Sequence, residues 1–192
     1  MESGKKEIAW IREFGSLDAL NELWFKIKAL EANGLPLGKA FEYLVLRAFE
    51  LDRENRATVE YPYTVSLFDE QVVEQIDGFI GIPSSGIYAM AESKDQVENV
   101  SITPIYKLRS QLARRPSNLI GCFFSKSDYT NPAKLLSHFL FPQTILLWSR
   151  KDIDFCFENA YFVEALETKY RFALKEGITN LDLKLHFEST RT

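Results

Sequence analysis

The chain has 192 residues, of which 46% are hydrophobic and 26% are charged, and its formal net charge is −4 at pH 7. These values are typical of one globular domain, and they exclude a disordered chain and a protein that binds nucleic acid through its overall charge. Two cysteines and two histidines are too few for a disulfide framework or a Cys/His zinc site. The first residues lack the apolar stretch of a signal peptide, and no apolar run approaches the ~20 residues of a membrane span. We therefore expect a cytoplasmic protein without a membrane partner.

Apolar periodicity in the first half of the chain predicts helices over 17–30 and 37–51 and strands over 59–65, 72–82 and 87–94. Ser16 is the expected N-cap of the first helix, and Gly34 its expected end. The segment Pro83-Ser84-Ser85-Gly86 between the last two strands has the composition of a turn, so those strands are expected to form a hairpin.

The second half of the chain predicts helices over 103–115, 131–140 and 158–176 and strands over 118–125, 143–148 and 181–187. Thr103 and Thr130 are the expected N-caps of the first two helices, and Gly177 is the expected end of the third. Strands that alternate with helices are typical of a mixed or parallel sheet covered on both faces. The sequence therefore predicts an α/β fold.

Three charged residues fall in otherwise apolar strand segments. Glu92 and Lys94 lie two positions apart, which places them on one face of a strand, while Ser93 points to the other. Hairpin pairing would bring Asp77 opposite or diagonal to them. Carboxylates in apolar strands are costly unless they are paired or bound to a cation, and hard oxygen ligands suit Mg²⁺. The alternative is a surface ion pair, which contributes little.

The sequence from 37 to 150 resembles the PD-(D/E)xK, or restriction-endonuclease-like, nucleases. The resemblance rests on the helix Leu37-Gly-Lys-Ala-Phe-Glu-Tyr-Leu-Val-Leu, on Ile76-Asp77-Gly78, on Glu92-Ser93-Lys94, and on the helix and strand that follow. The order of these elements is similar to the αβββαβ core of that family, and within the family the sequence most resembles the Mrr-like restriction endonuclease branch. Ile76 stands where the family name has proline.

The resemblance implies a single nuclease domain over 1–192. Residues 1–36 would form a helical N-terminal extension, 37–150 the PD-(D/E)xK core, and 151–192 a C-terminal helix and strand. The core would be a mixed central sheet flanked by helices.

The resemblance also implies a Mg²⁺-dependent DNA endonuclease of the restriction or defence type, in which Mn²⁺ substitutes for Mg²⁺. Asp77 and Glu92 would bind the metal. Lys94 would hold the attacking water, or accept its proton if its pKa were depressed. Glu42, which matches an acid on the family's first helix, would anchor a metal-bound water. A solvated carboxylate is the alternative for Glu42.

Residues 99–127 contain five basic side chains and no acidic one, in a chain that is otherwise acidic. Such a segment is either a solvated helix face or a binding surface for phosphates. The helix over 103–115 would follow the lysine strand and flank the cleft, so we expect DNA contacts from Lys107, Arg109, Gln111, Arg114 and Arg115. Gln111 also matches a glutamine that some branches of the family carry.

Two other functions remain open on the sequence alone. One is a relative that no longer cleaves and acts as a nucleic-acid-binding or structural part of a larger complex. The other is a DNA-repair nuclease of the same fold, such as a junction resolvase. Cutting both strands of DNA with one site per chain needs two copies or two visits, which favours a homodimer.

Overall fold

The computed structural model describes residues 2–31, 37–53, 56–67 and 71–189. The helices in these ranges are α1 (Glu2–Arg12), α2 (Leu17–Lys28), α3 (Leu37–Glu50), α4 (Ile102–Leu112), α5 (Asn131–Ser137), α6 (Arg150–Asn159), α7 (Phe162–Glu176) and α8 (Leu183–Ser189). The strands are β1 (Thr58–Glu60), β2 (Tyr63–Leu67), β3 (Gln71–Ile76), β4 (Gly78–Ile82), β5 (Ile87–Lys94), β6 (Leu119–Ser125) and β7 (Ile145–Trp148). Within the described ranges, no helix has the length and apolar character needed to cross a membrane.

A five-stranded mixed sheet forms the centre of the fold, in the order β1-β4-β5-β6-β7. β1, β4 and β5 are antiparallel neighbours, whereas β5, β6 and β7 run parallel. The predicted β4–β5 hairpin is confirmed, and Gly86 takes the left-handed conformation (φ 66°) at the end of its turn. When β2 and β3, which pair apart from the main sheet, are left out, α3, β1, β4, β5, α4 and β6 have the expected αβββαβ order. The predicted α/β class, with a mixed sheet and N-terminal helices, is confirmed.

Helices cover both faces of the sheet, because successive strand residues point to opposite sides. Ala89 and Ala91 of β5 pack in a core that includes α2, α3 and α7. Met90 lies on the other face, in a second core with α4. The same alternation places Glu92 and Lys94 on the α4 side of the sheet.

Two of the predicted strands are each divided between two sheets. The strand expected over 59–65 is interrupted at Pro62, which lacks a backbone N–H, and becomes β1 and β2. The strand expected over 72–82 breaks at Asp77 into β3 and β4. β2 and β3 pair antiparallel as a separate two-stranded ribbon. α3 approaches the chain just after the second break, since a Cβ atom on Gly78 would lie 2.6 Å from the Leu46 side chain.

Helix boundaries agree with the sequence at several caps and differ at others. Ser16 and Thr130 are N-caps as predicted, and Gly177 ends α7 with a φ of 70°. The expected helix end at Gly34 lies outside the described residues. α4 begins after Ser101 rather than at Thr103, a difference of two residues.

The region after β7 holds three helices, where the sequence predicted one helix and a strand. α6 begins at Ser149, whose side chain forms a reciprocal capping box with Asp152. It ends at Ala160, which has a φ of 54°, so the helix expected over 158–176 begins only at Phe162. The Ser-x-x-Asp pattern was the available signal for this helix.

The prediction of a strand over 181–187 is wrong, because these residues belong largely to α8. Leu183 is buried, but Leu185 is 65% exposed, so the alternating leucines do not share a buried face. The Asp182 carboxylate accepts a hydrogen bond of 3.0 Å from the backbone N–H of Leu185 and thereby caps the helix. The described residues of 151–192 therefore form helices and the loops between them, and the expected C-terminal strand is replaced by α8.

Candidate active site

The candidate site lies where the ribbon ends and the main sheet begins. Asp77 immediately precedes β4, and the β4–β5 register pairs Gly78 with Ala91. Asp77 is therefore next to Glu92 across the hairpin, as the sequence predicted. Its Oδ2 atom accepts a hydrogen bond of 3.1 Å from the backbone N–H of Ser93, which fixes the carboxylate at the end of β5.

Glu92 is the most deeply buried acid of the site, with 2% of its surface exposed. The Lys94 Nζ atom lies 2.8 Å from Glu92 Oε1, so the two residues form a charge-assisted hydrogen bond on one face of β5. Lys107, an exposed residue of α4, approaches the same oxygen at 3.8 Å. The predicted shared face of Glu92 and Lys94 is confirmed.

Glu42 reaches the site from α3, a helix that packs against the opposite face of the sheet. The pKa of Glu42 is raised to about 7, mainly by burial and also by the negative charges of Asp77 and Glu92. The positive charge of Lys94 acts in the opposite direction. Glu42 therefore lies within electrostatic reach of the other three residues. The alternative of a fully solvated carboxylate does not fit a half-buried side chain.

The site carries more negative than positive charge. Burial, followed by the charge of Glu92, raises the pKa of Asp77 to about 6, although the hydrogen bond from Ser93 and the charge of Lys94 act in the opposite direction. An ordinary structural ion pair lowers the pKa of its carboxyl group. The raised pKa values of Asp77 and Glu42 come first from burial and then from the negative charge of a neighbouring acid.

Lys94 is held in its protonated form. Burial acts to lower the pKa of Lys94, but the hydrogen bond to Glu92 and the charges of Glu92, Asp77 and Glu42 outweigh burial and raise it above the usual value. A protonated ammonium group donates hydrogen bonds and cannot accept a proton. The depressed pKa that proton acceptance by Lys94 requires is therefore not found, and its role as a hydrogen-bond donor stays a prediction.

The donor set limits what metal site these residues could form. In 2–31, 37–53, 56–67 and 71–189, no group of three or more His, Cys, Asp or Glu side chains is arranged to hold a metal ion. Asp77 and Glu92 together offer two carboxylates. This set fits Mg²⁺, which is commonly bound by one or two carboxylates and completes its coordination with water and substrate phosphate.

A buried ion pair that the sequence did not reveal lies beside the site. Asp95 directly follows Lys94, and its carboxylate contacts the Lys126 ammonium group, with both side chains almost fully buried. The backbone N–H of Lys126 also donates to the carbonyl oxygen of Lys94 at 3.1 Å. The pair therefore joins the ends of β5 and β6 immediately after the lysine of the motif.

The acid-free basic segment of the sequence is paired with acids from elsewhere in the chain. Arg114 and Arg115 both bind the Glu74 carboxylate of β3, Arg115 at 2.5 Å. Gln111 is buried, and its Nε2 atom donates to the carbonyl oxygen of Gln75 at 3.4 Å.

Arg109 donates from Nε to the carbonyl oxygen of Leu140 at 3.4 Å. The residues expected to contact DNA thus include several, in α4 and just after its end, that bind neighbouring parts of the chain. Whether they bind DNA stays a prediction.

Comparison with known proteins gives a distant structural likeness. No family model matches the sequence, and no curated protein matches it. The chain is similar to a solved structure of the MspJI restriction endonuclease in complex with a 27-mer oligonucleotide, with a TM-score of 0.43 and 15% sequence identity. The match covers 86% of this chain and 36% of that one, so the chain spans about a third of the length of its structural neighbour.

Proposed function

We propose that the protein is a Mg²⁺-dependent DNA endonuclease of the restriction or defence type, from the Mrr-like branch of the PD-(D/E)xK superfamily. The observation that supports this proposal is the convergence of Asp77, Glu92 and Glu42 around Lys94 at the break in the sheet. Two of these acids have raised pKa values. A divalent cation would offset the negative charge of these acids.

Each residue has a role that its position supports. Asp77 and Glu92 would hold Mg²⁺, or Mn²⁺ in its place, through their carboxylate oxygens. When bound, the ion supplies polarisation of the scissile phosphate and a lowered pKa for a bound water. Lys94 would donate a hydrogen bond to the attacking water and stabilise negative charge that develops on the phosphate. Glu42 would orient that water from the α3 side.

DNA is the proposed substrate and partner, and the exposed Lys107 of α4 flanks the proposed cleavage site. Lys107 is the α4 residue nearest the carboxylates, at 3.8 Å from Glu92. One site per chain favours a homodimer for double-strand cleavage. We place the protein in the cytoplasm.

Cleavage of plasmid DNA tests the proposal. The wild-type protein should cut supercoiled plasmid with Mg²⁺ or Mn²⁺ and should be inactive in EDTA. Asp77→Asn and Lys94→Ala should each lower the rate by about 10²–10⁴-fold.

Lys184→Ala is the matched control, because Asp182-Leu183-Lys184 is another acid-x-Lys triplet in this chain and Lys184 is exposed. It should cut like the wild type. Loss of cleavage in Lys184→Ala as well, or equal cleavage by all variants, would refute the assigned site.

Substrate choice separates the remaining alternatives. Linear, methylated and four-way-junction DNA should be compared under the same conditions. Preference for the junction would identify a repair nuclease, and binding without cleavage of any substrate would identify a relative that does not cut.

A further inference from the structure

A polar groove runs between the β2–β3 ribbon and α4, beside the candidate site. It has a volume of about 300 Å³ and is lined by Glu74, Gln75, Lys107, Ser110, Gln111 and Arg114. Lys107 belongs to both places, since it lines the groove and lies 3.8 Å from Glu92. A strand of DNA bound in the site would therefore have a direct path into this groove.

In the free protein, the Glu74 carboxylate forms ion pairs with two arginines beside the groove. Its Oε1 atom binds Arg114 and its Oε2 atom binds Arg115, and the carboxylate itself is almost fully buried. Two guanidinium groups on one carboxylate leave a net positive charge. Guanidinium groups bind carboxylate and phosphate oxygens with similar geometry, so phosphate is a chemically equivalent partner for either arginine.

The two arginines differ in how firmly they are held. Each arginine donates from Nη1 to the carbonyl oxygen four residues earlier, Arg115 to Gln111 at 2.6 Å and Arg114 to Ser110 at 3.0 Å. They differ in exposure, because only 18% of the Arg115 side chain is exposed. The Arg114 side chain is 55% exposed and lines the groove. Arg114 can therefore leave Glu74 for a ligand in the groove, whereas Arg115 is placed to keep Glu74 neutralised.

The placement of the two exposed cations suits a nucleic-acid backbone. Lys107 lies within α4, and Arg114 lies two residues past the end of α4 at Leu112. Both side chains line the same groove, and Lys107 lies beside the carboxylates. A DNA strand that leaves the site through the groove would therefore meet one cation after the other.

We propose that Glu74 is an internal substitute for a DNA phosphate: Arg114 exchanges Glu74 for a backbone phosphate when DNA enters the groove, while Arg115 remains bound to Glu74. The choice of DNA as the ligand rests on the proposed function. The exchange itself is a property of the groove and is measurable without cleavage.

The first test is the salt dependence of binding to a DNA duplex of about 20 base pairs, measured by fluorescence anisotropy in EDTA between about 50 and 200 mM KCl. Arg114→Gln should reduce the slope of log K against log salt by about one unit, so its affinity deficit should be roughly fourfold larger at the low end of the salt range. Arg115→Gln is the matched control. It should keep the wild-type slope and show a lower melting temperature.

The second test is a double-mutant cycle with Glu74→Gln. Removing this carboxylate should raise DNA affinity by about threefold at low salt, because Arg114 then has no carboxylate partner to leave before it binds phosphate. The gain should disappear in the Arg114→Gln background, because the exchange needs Arg114. If Glu74→Gln does not fold, the comparison of Arg114→Gln with Arg115→Gln decides the question alone, since Arg114 is largely exposed.

Several results would overturn the inference. They are equal slope losses in Arg114→Gln and Arg115→Gln, an affinity gain from Glu74→Gln that persists without Arg114, and no DNA binding by the wild type. A lack of cleavage with Mg²⁺ would refute the proposed function while leaving these binding results to stand. Normal cleavage with an unchanged slope in Arg114→Gln would refute the exchange alone.

Discussion

Asp77→Asn should make the metal-free protein more stable at pH 8. Asp77 has a pKa of about 6 in the folded protein, compared with an ordinary value of 3.8. A difference of about two pKa units corresponds to about 3 kcal/mol at 1.36 kcal/mol per unit. Partial exposure of the group and the weaker amide acceptor reduce the expected gain to about 1–2 kcal/mol. The asparagine oxygen can still accept the hydrogen bond from Ser93.

The pH dependence of this gain follows from the direction of the pKa change. A carboxyl group with a raised pKa in the folded state binds more protons there than in the unfolded state, so wild-type stability falls as the pH rises between the two values. The advantage of Asp77→Asn should therefore be absent below about pH 4 and complete above about pH 6. Glu42, with a pKa raised to about 7, should add to the loss of wild-type stability up to neutral pH.

Urea unfolding at pH 4 and pH 8, in EDTA and in millimolar Mn²⁺, measures these effects. The wild type should gain stability on adding metal by mass action, and Asp77→Asn should gain much less. Asp182→Asn is a suitable control, because Asp182 also accepts a backbone N–H hydrogen bond and asparagine caps helices about as well. If Asp77→Asn is less stable at pH 8 in EDTA and both proteins respond equally to metal, Asp77 is a paired structural carboxylate and the reasoning fails.

Other perturbations test single parts of the account. Lys94→Ala should lower the cleavage rate by about 10²–10⁴-fold and leave metal-free DNA binding nearly unchanged, and cleavage within about tenfold of wild type would contradict the assigned role. Asp95→Asn should lower the free energy of unfolding by about 2–4 kcal/mol, because Lys126 would stay buried without its partner; a change below about 0.5 kcal/mol would disprove it. The arginines hold the pKa of Glu74 below its usual value, despite burial. Their stabilisation should therefore be present above pH 4.5 and lost as the pH falls through the folded pKa, so the stability difference between wild type and Glu74→Gln should shrink on acidification.

The sequence predicts the centre of the site because the rules that determine it are local. A strand period of two residues places Glu92 and Lys94 on one face, and a four-residue turn fixes the β4–β5 register that brings Asp77 beside them. These features need no knowledge of the rest of the fold. The helix caps at Ser16, Thr130 and Gly177 were predictable for the same reason.

Other features depend on contacts between distant parts of the chain. At the break after Asp77, α3 comes so close to Gly78 that a Cβ atom there would lie 2.6 Å from the Leu46 side chain, and the strand pattern does not contain this contact. Arg114 looked unopposed because its acid lies 40 residues earlier in β3. The alternating leucines of α8 have the period of a strand, but the backbone N–H of Leu183 donates to the carboxylate of the distant Asp152 at 3.1 Å, at the start of the helix. In each case tertiary contacts override the local pattern.

The Mn²⁺ position in crystals of the protein bound to DNA tests the central claim most directly. Anomalous scattering from crystals grown with Mn²⁺ should give a peak in contact with the carboxylates of both Asp77 and Glu92, and Lys94 should lie beside the scissile phosphate. A peak elsewhere, or none between these two acids while Lys94 stays bound to Glu92, would contradict the claim that these residues form a nuclease site.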